Sequence, residues 1–93
     1  MISPQEEGWT VYTKSDCVFC DQAKVVLGSY PTVYVNCDEW LETDKETFLK
    51  KMKERIGREY RMFPMIFYDG VFIGGYSDTK EYVEKKLSFT EEF

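Results

Sequence analysis

Trp9-Thr10-Val11-Tyr12-Thr13-Lys14-Ser15-Asp16-Cys17-Val18-Phe19-Cys20 governs how the rest of the chain is read. Its first five residues are β-branched or aromatic, the composition of a strand. Lys14, Ser15 and Asp16 make a short polar turn. From Val18 the pattern becomes helical: Phe19, Ala23, Val26, Leu27 and Tyr30 recur on one helix face, and Gly28 and Pro31 close a helix predicted over 18–28. Two cysteines therefore stand where a strand hands over to a helix. Thiol–disulfide exchange needs a thiolate attacker. A helix start offers unpaired backbone N–H groups and a partial positive charge, and thiols placed there titrate at roughly 3.5–7.5. Lys14 adds a nearby cation. Cys20 lies a turn deeper, beside Ala23 and Leu27, and is expected to be less exposed. The asymmetry assigns attack to Cys17 and resolution to Cys20, the alternative being two structural cysteines.

Outward from this stretch, Thr32–Asn36 reads as a second strand. A second helix is predicted over 44–56, with Thr43 and Glu46 at capping-box spacing, Phe48, Leu49, Met52 and Ile56 on one face, and Gly57 as C-cap. Met65-Ile66-Phe67-Tyr68 and Val71-Phe72-Ile73 are two strands separated by Asp69-Gly70, a strong hairpin signal. A third helix, capped by Ser77 or Asp78 and running to about Leu87, turns Tyr82, Val83 and Leu87 inward. The order is βαβαββα. Its first two strands are parallel through a crossover helix, giving an α/β fold with a four-stranded mixed sheet and three covering helices. One domain is expected over 1–93, with a core of about 9–87 and flexible tails at 1–8 and 88–93.

Composition removes several classes of function. The chain has no histidine, so histidine general bases, Cys-His nucleophile pairs and the commonest metal ligand are all missing. Three cysteines, Cys17, Cys20 and Cys37, cannot alone supply the four ligands of a structural zinc site, and no metal is expected. Cys37, at the end of the second strand, reads as a buried bystander or a regulatory thiol. The net charge of −5 argues against nucleic acid as a partner. Within it, residues 45–61 carry +4 and the remainder −9, read as a solvated helix face. No apolar run is long enough for a bilayer and the opening residues resemble no leader, so an intact, soluble, monomeric, cytoplasmic domain is expected.

Three segments together carry a resemblance. Lys14-Ser15-Asp16-Cys17-Val18-Phe19-Cys20, Met62-Phe63-Pro64 and Ile73-Gly74-Gly75-Tyr76-Ser77-Asp78 resemble, in order and spacing, the motifs of dithiol glutaredoxins, and the likeness covers 9–87. Cys17-Val18-Phe19-Cys20-Asp21-Gln22-Ala23-Lys24 is most similar to the glutaredoxins of phages and large DNA viruses. The resemblance implies a thioredoxin-like fold and reduction of protein disulfides and glutathionylated proteins with electrons from glutathione, ribonucleotide reductase being a common partner. For a viral protein the location would be the host cytoplasm. The resemblance also implies that Pro64 is a cis-proline facing the cysteines, and that the Phe63 backbone pairs with the cysteinyl part of glutathione. Ser77 and Asp78 would take its γ-glutamyl end, with Phe19 beside them. Lys14, with Arg58 or Arg61, would face its glycyl carboxylate. A strand end plus a helix cap is the alternative account of the Gly74-to-Asp78 run.

The chain also departs from the pattern. Val18-Phe19 replaces the frequent Pro-Tyr, so Phe19 lacks a hydroxyl; Met62-Phe63 replaces Thr-Val; and the connector 57–63 is about two residues longer than usual. Two other functions compete. One is a thioredoxin-like protein reduced by a flavoprotein reductase, disfavoured by Asp16 before the pair. The other is a module holding an iron–sulfur cluster between two chains, disfavoured by bulky Val18-Phe19 and the second cysteine.

Overall fold

The computed structural model describes residues 3–87. Along the chain run β1 (Trp9–Thr13), α1 (Val18–Val26), β2 (Thr32–Asn36), α2 (Asp38–Ile56), β3 (Met65–Tyr68), β4 (Val71–Gly74) and α3 (Tyr76–Tyr82), closed by a π-helical turn, Val83–Leu87. The sheet order is β2-β1-β3-β4. β1 runs parallel to β2 and antiparallel to β3, and β3 and β4 form the hairpin, so the predicted α/β architecture is present.

Both faces of the sheet are covered, which is why every residue of β1 is buried. Strand alternation divides the side chains. Trp9, Val11 and Ile66 meet Ala23 of α1, Leu27 at its C-terminal cap and Val83 beyond α3. Tyr12, Val35, Met65 and Phe67 meet Phe48, Leu49 and Met52 of α2. Each large side chain fully withdrawn from water in these layers stabilises the fold by about 1.5–3 kcal/mol. The hairpin turn obeys its sequence: Asp69 (φ 52°) and Gly70 (φ 81°) both take the left-handed region, as a two-residue turn of this type requires. Asp69 also accepts the Gly8 N–H at 2.7 Å, and Gln5 N–H donates to Thr10 Oγ1 at 3.0 Å. Of the expected tails, residues 1–2 and 88–93 lie outside the described residues.

Two helix starts and one side-chain orientation differ from expectation. The second helix begins at Asp38, not at 44. A first segment runs to a kink at Asp44 (φ −157°, ψ 70°). Thr43 is not a cap: its hydroxyl donates to the Glu39 carbonyl at 2.8 Å. Asp44 caps the second segment instead, its carboxylate accepting the Thr47 N–H at 3.2 Å. The far end is as expected, with Gly57 at φ 97° donating to the Lys53 carbonyl. The third helix starts at Tyr76 with Gly75 as N-cap, so Asp78 stands in its first turn rather than before it. Finally, Phe19 does not face inward; the buried line of α1 passes through Cys20, Ala23 and Leu27, leaving Phe19 56% exposed.

Candidate functional site

Cys17 caps α1 from an extended backbone, and its sulfur accepts the Cys20 N–H at 3.1 Å. The two cysteines are joined as a disulfide, with Cα atoms 5.2 Å apart. Cys17 is partly exposed, whereas Cys20 is only 2% exposed. The turn before them is held from outside: Asp38, at the start of α2, accepts the Ser15 N–H at 2.9 Å and also the Ser15 hydroxyl. These bonds, led by the hydroxyl and aided by the Lys14 charge, hold the Asp38 carboxyl below the usual 3.8. Lys14 Nζ itself lies 5.8 Å from the centre of the Phe63 ring.

Beside the pair opens a groove of about 220 Å³. Phe19 and Tyr76, stacked with centroids 6.0 Å apart, form part of its wall. Phe63 and Met62 contribute from the strand entrance, Ser77 and Asp78 from the first turn of α3, and Tyr60 and Gly75 complete the lining. Phe63 is backed by a row of rings, stacking on Phe48 at 6.2 Å, which stacks on Trp40 at 5.8 Å. The Phe63–Pro64 peptide bond is cis, as expected, and Pro64 is buried behind the groove.

Asp78 is placed by its neighbours. Its carboxylate accepts the Gly75 N–H at 3.3 Å. Gly74, at φ 135°, leaves the space the carboxylate fills, since a Cβ there would collide with it. Between Phe67↔Phe72 and Ile66↔Gly74 the register shifts, with Ile73 the extra residue on β4, so a bulge turns the chain toward α3.

Of the residues singled out from sequence, Phe19, Phe63, Ser77 and Asp78 meet in one groove; Lys14 reaches the Phe63 ring but is not part of the lining. Neither Arg58 nor Arg61 is part of the lining. Arg61 pairs with Glu46 at 2.8 Å and Glu59 at 3.1 Å, and Arg58 lies over the rings of Tyr60 and Phe72. Cys37 is fully buried, and its thiol is pushed up to about 12, by burial first and then by Asp38. Tyr60 and Asp38 were not singled out from sequence, and Met62 and Tyr76 stood in the motifs without an assigned role. Among the described residues, no group of three or more Cys, Asp or Glu is placed to hold a metal ion, and no helix is long and apolar enough to cross a membrane. A larger hollow of about 600 Å³, beside Lys51, Glu54, Arg55 and Gly70, has no cysteine in its lining.

Comparison with known proteins bears on the cysteine pair and on Phe63–Pro64, the family match stopping before Gly74. The family model described as glutaredoxin matches residues 9–73. Glutaredoxin 1 of Rickettsia felis is 30% identical over 67 residues, which is 70% of this chain and 61% of that protein. The chain thus spans about three-fifths of that curated relative's length. Among solved structures, glutaredoxin 1 of Francisella tularensis, complexed with cacodylate, matches with a TM-score of 0.74 at 22% identity, over 87% of this chain and 96% of its own. A buckwheat glutaredoxin–glutathione complex matches with a TM-score of 0.67 at 21% identity, over 95% and 80%. At these identities the structural likeness carries the fold, which is thioredoxin-like.

Proposed function

The chain belongs to the glutaredoxin family, and from that premise we propose that it is a thiol–disulfide oxidoreductase that uses glutathione as its reductant. The observation that carries the reading is the unequal exposure of a joined cysteine pair at a helix start: Cys17 partly open, Cys20 2% exposed. An incoming sulfur reaches Cys17 and not Cys20. The Cys20 N–H, 3.1 Å from the Cys17 sulfur, and the start of α1 both favour negative charge on that sulfur.

Two cycles follow from this arrangement. In the first, the Cys17 thiolate attacks the glutathione sulfur of a glutathionylated protein. A Cys17–glutathione disulfide forms, and the protein leaves as a thiolate that takes up a proton. A second glutathione thiolate then attacks the bound glutathione sulfur, releasing glutathione disulfide and restoring Cys17. In the second cycle Cys17 attacks a protein disulfide and one protein thiolate leaves. Cys20, having lost its proton, attacks the Cys17 sulfur, closing the disulfide and releasing the other protein thiolate. Two glutathione thiolates reopen the pair: the first attacks the Cys17 sulfur and frees the Cys20 thiolate, and the second attacks the bound glutathione sulfur, releasing glutathione disulfide and the Cys17 thiolate. Two electrons pass in each cycle.

The groove beside the pair supports glutathione as the ligand. It is walled by the Phe19–Tyr76 stack and by Phe63 and holds one acidic group, Asp78, suited to an ammonium. In this reading Phe63, Pro64, Ser77 and Asp78 bind glutathione, with Phe19 and Lys14 at the margins. The buckwheat relative complexed with glutathione has the same fold. The protein substrates in this reading are disulfide-containing or glutathionylated proteins, with ribonucleotide reductase proposed among them because it is a common partner of the glutaredoxin family; a monomer in the cytoplasm fits that work. The test is glutathione-dependent reduction of a small mixed disulfide by wild type and Cys17→Ser, with thioredoxin reductase as rival electron donor. Turnover with glutathione that Cys17→Ser abolishes supports the reading, and turnover only with the flavoprotein reductase overturns it.

A further inference from the structure

Tyr60 belongs to none of the three motifs; it stands in the connector between α2 and β3. Its ring is fixed from two directions. Phe72 meets it edge-on with centroids 4.9 Å apart, and the Arg58 guanidinium lies 5.5 Å from its centre. Those contacts hold the ring where its hydroxyl approaches Gly75, which lines the same groove. A Cβ built on Gly75 would stand 3.2 Å from the oxygen, and Tyr60 and Asp78 line the same groove. Among the described residues, the half-buried hydroxyl makes no hydrogen bond. Burial first, and then the Asp78 charge, raise its phenol above the usual 10.0, so it keeps its proton and is a donor.

No lysine or arginine lines the groove. Arg61 is occupied by Glu46 and Glu59, and Phe19 has no hydroxyl to offer from the other wall. An anionic group entering beside Asp78 must therefore be met by neutral donors. An α-amino acid head carries both signs within a few bonds, an ammonium for Asp78 and a carboxylate that needs a donor next to it. We propose that Tyr60 is a further ligand-contact residue of this groove, its hydroxyl donating a hydrogen bond to the carboxylate of the amino-acid head whose ammonium Asp78 accepts. The inference rests on the reading of the groove as a glutathione site. It supplies from the connector the hydroxyl that Phe19 lacks.

The test is Tyr60→Phe, which removes one oxygen and keeps the ring against Phe72 and Arg58. Steady-state reduction of a small mixed disulfide is measured with glutathione and with cysteinylglycine, which has no γ-glutamyl head. A hydrogen bond to a charged group is among the stronger ones. The expected result is a fall of about tenfold in kcat/KM for glutathione, carried by KM and equivalent to about 1.4 kcal/mol. The preference for glutathione over cysteinylglycine should shrink by the same factor, at an unchanged melting temperature. An unchanged preference overturns the proposal, as does an equal loss with both thiols, which would place the effect in ring packing. If wild type prefers glutathione and Tyr60→Phe keeps that preference, only this inference falls. If wild type shows no preference, the glutathione site falls with it.

Discussion

Asp78 performs a structural task that substitution can separate from ligand binding. Its carboxylate accepts the Gly75 N–H at 3.3 Å and fills the space left by Gly74. Asp78→Asn keeps an oxygen for that N–H and nearly the same shape but removes the charge; Asp78→Ala removes both. Losing a cap bond costs about 0.5–2 kcal/mol, and the 3.3 Å length puts this one toward the lower half. For a chain of 93 residues, each 1 kcal/mol moves Tm by about 4–8 °C. Asp78→Ala should therefore melt about 4–8 °C below wild type, and Asp78→Asn should lose less than half of that. A charge-assisted hydrogen bond is worth about 1.5–3 kcal/mol. Asp78 is exposed, so screening by solvent and salt favours the lower end, which is about tenfold. Both variants should lose at least about tenfold in kcat/KM for glutathione, and the loss should shrink as salt is added. The assay is coupled glutathione oxidation alongside thermal melts of the same preparations. Wild-type kinetics in Asp78→Asn would refute the ligand role and leave Asp78 as a helix cap.

Alkylation of the reduced protein at mildly acidic pH should modify Cys17 well before Cys20, and Cys37 only on unfolding; equal rates at all three, by peptide mass mapping, would count against the assignment of roles. Cys20→Ser should keep removal of glutathione from mixed disulfides and lose most reduction of protein disulfides, since only the second cycle needs two thiols; parallel loss of both would contradict the two-cycle scheme. Stability should fall at alkaline pH. The Cys37 thiol is raised from 9.0 to about 12 and the Tyr12 phenol from 10.0 to about 12, both chiefly by burial. The unfolded chain gives up these protons first, so the stability they carry is whole below about pH 9 and is lost as pH rises toward about 12. In denaturant titrations across that window Cys37→Ala should show a shallower decline, and identical slopes would remove Cys37 from the account.

The order of elements was legible because the signals were local. The Trp9–Thr13 composition, the Asp69-Gly70 turn and the Gly57 stop each act within a few residues. The first segment of α2 was not legible: Asp38-Glu39-Trp40-Leu41-Glu42-Thr43 is too short to show a period. Its signals were the acidic first turn and Asn36, whose side chain accepts the Asp38 N–H at 2.9 Å. Phe19 fitted the inward face by spacing, but tertiary packing chose Cys20, Ala23 and Leu27, and Phe19 became groove wall. In the site, the cysteines and Asp78 stood in motifs that carry their own chemistry. Tyr60 did not, because only folding brings the connector across to Gly75. The engagement of Arg61 was equally hidden, since Glu46 is fifteen residues away in sequence.

The bonds from Asp38 to Ser15 join two places far apart in the chain, the start of α2 and the turn before Cys17. One carboxylate serves both Ser15 donors, so the two residues form a single energetic unit. Changing either one removes most of what the other contributes, and changing both should cost little more than changing one. The geometry of the turn before Cys17 thereby depends on a helix start that lies 23 residues further along the chain.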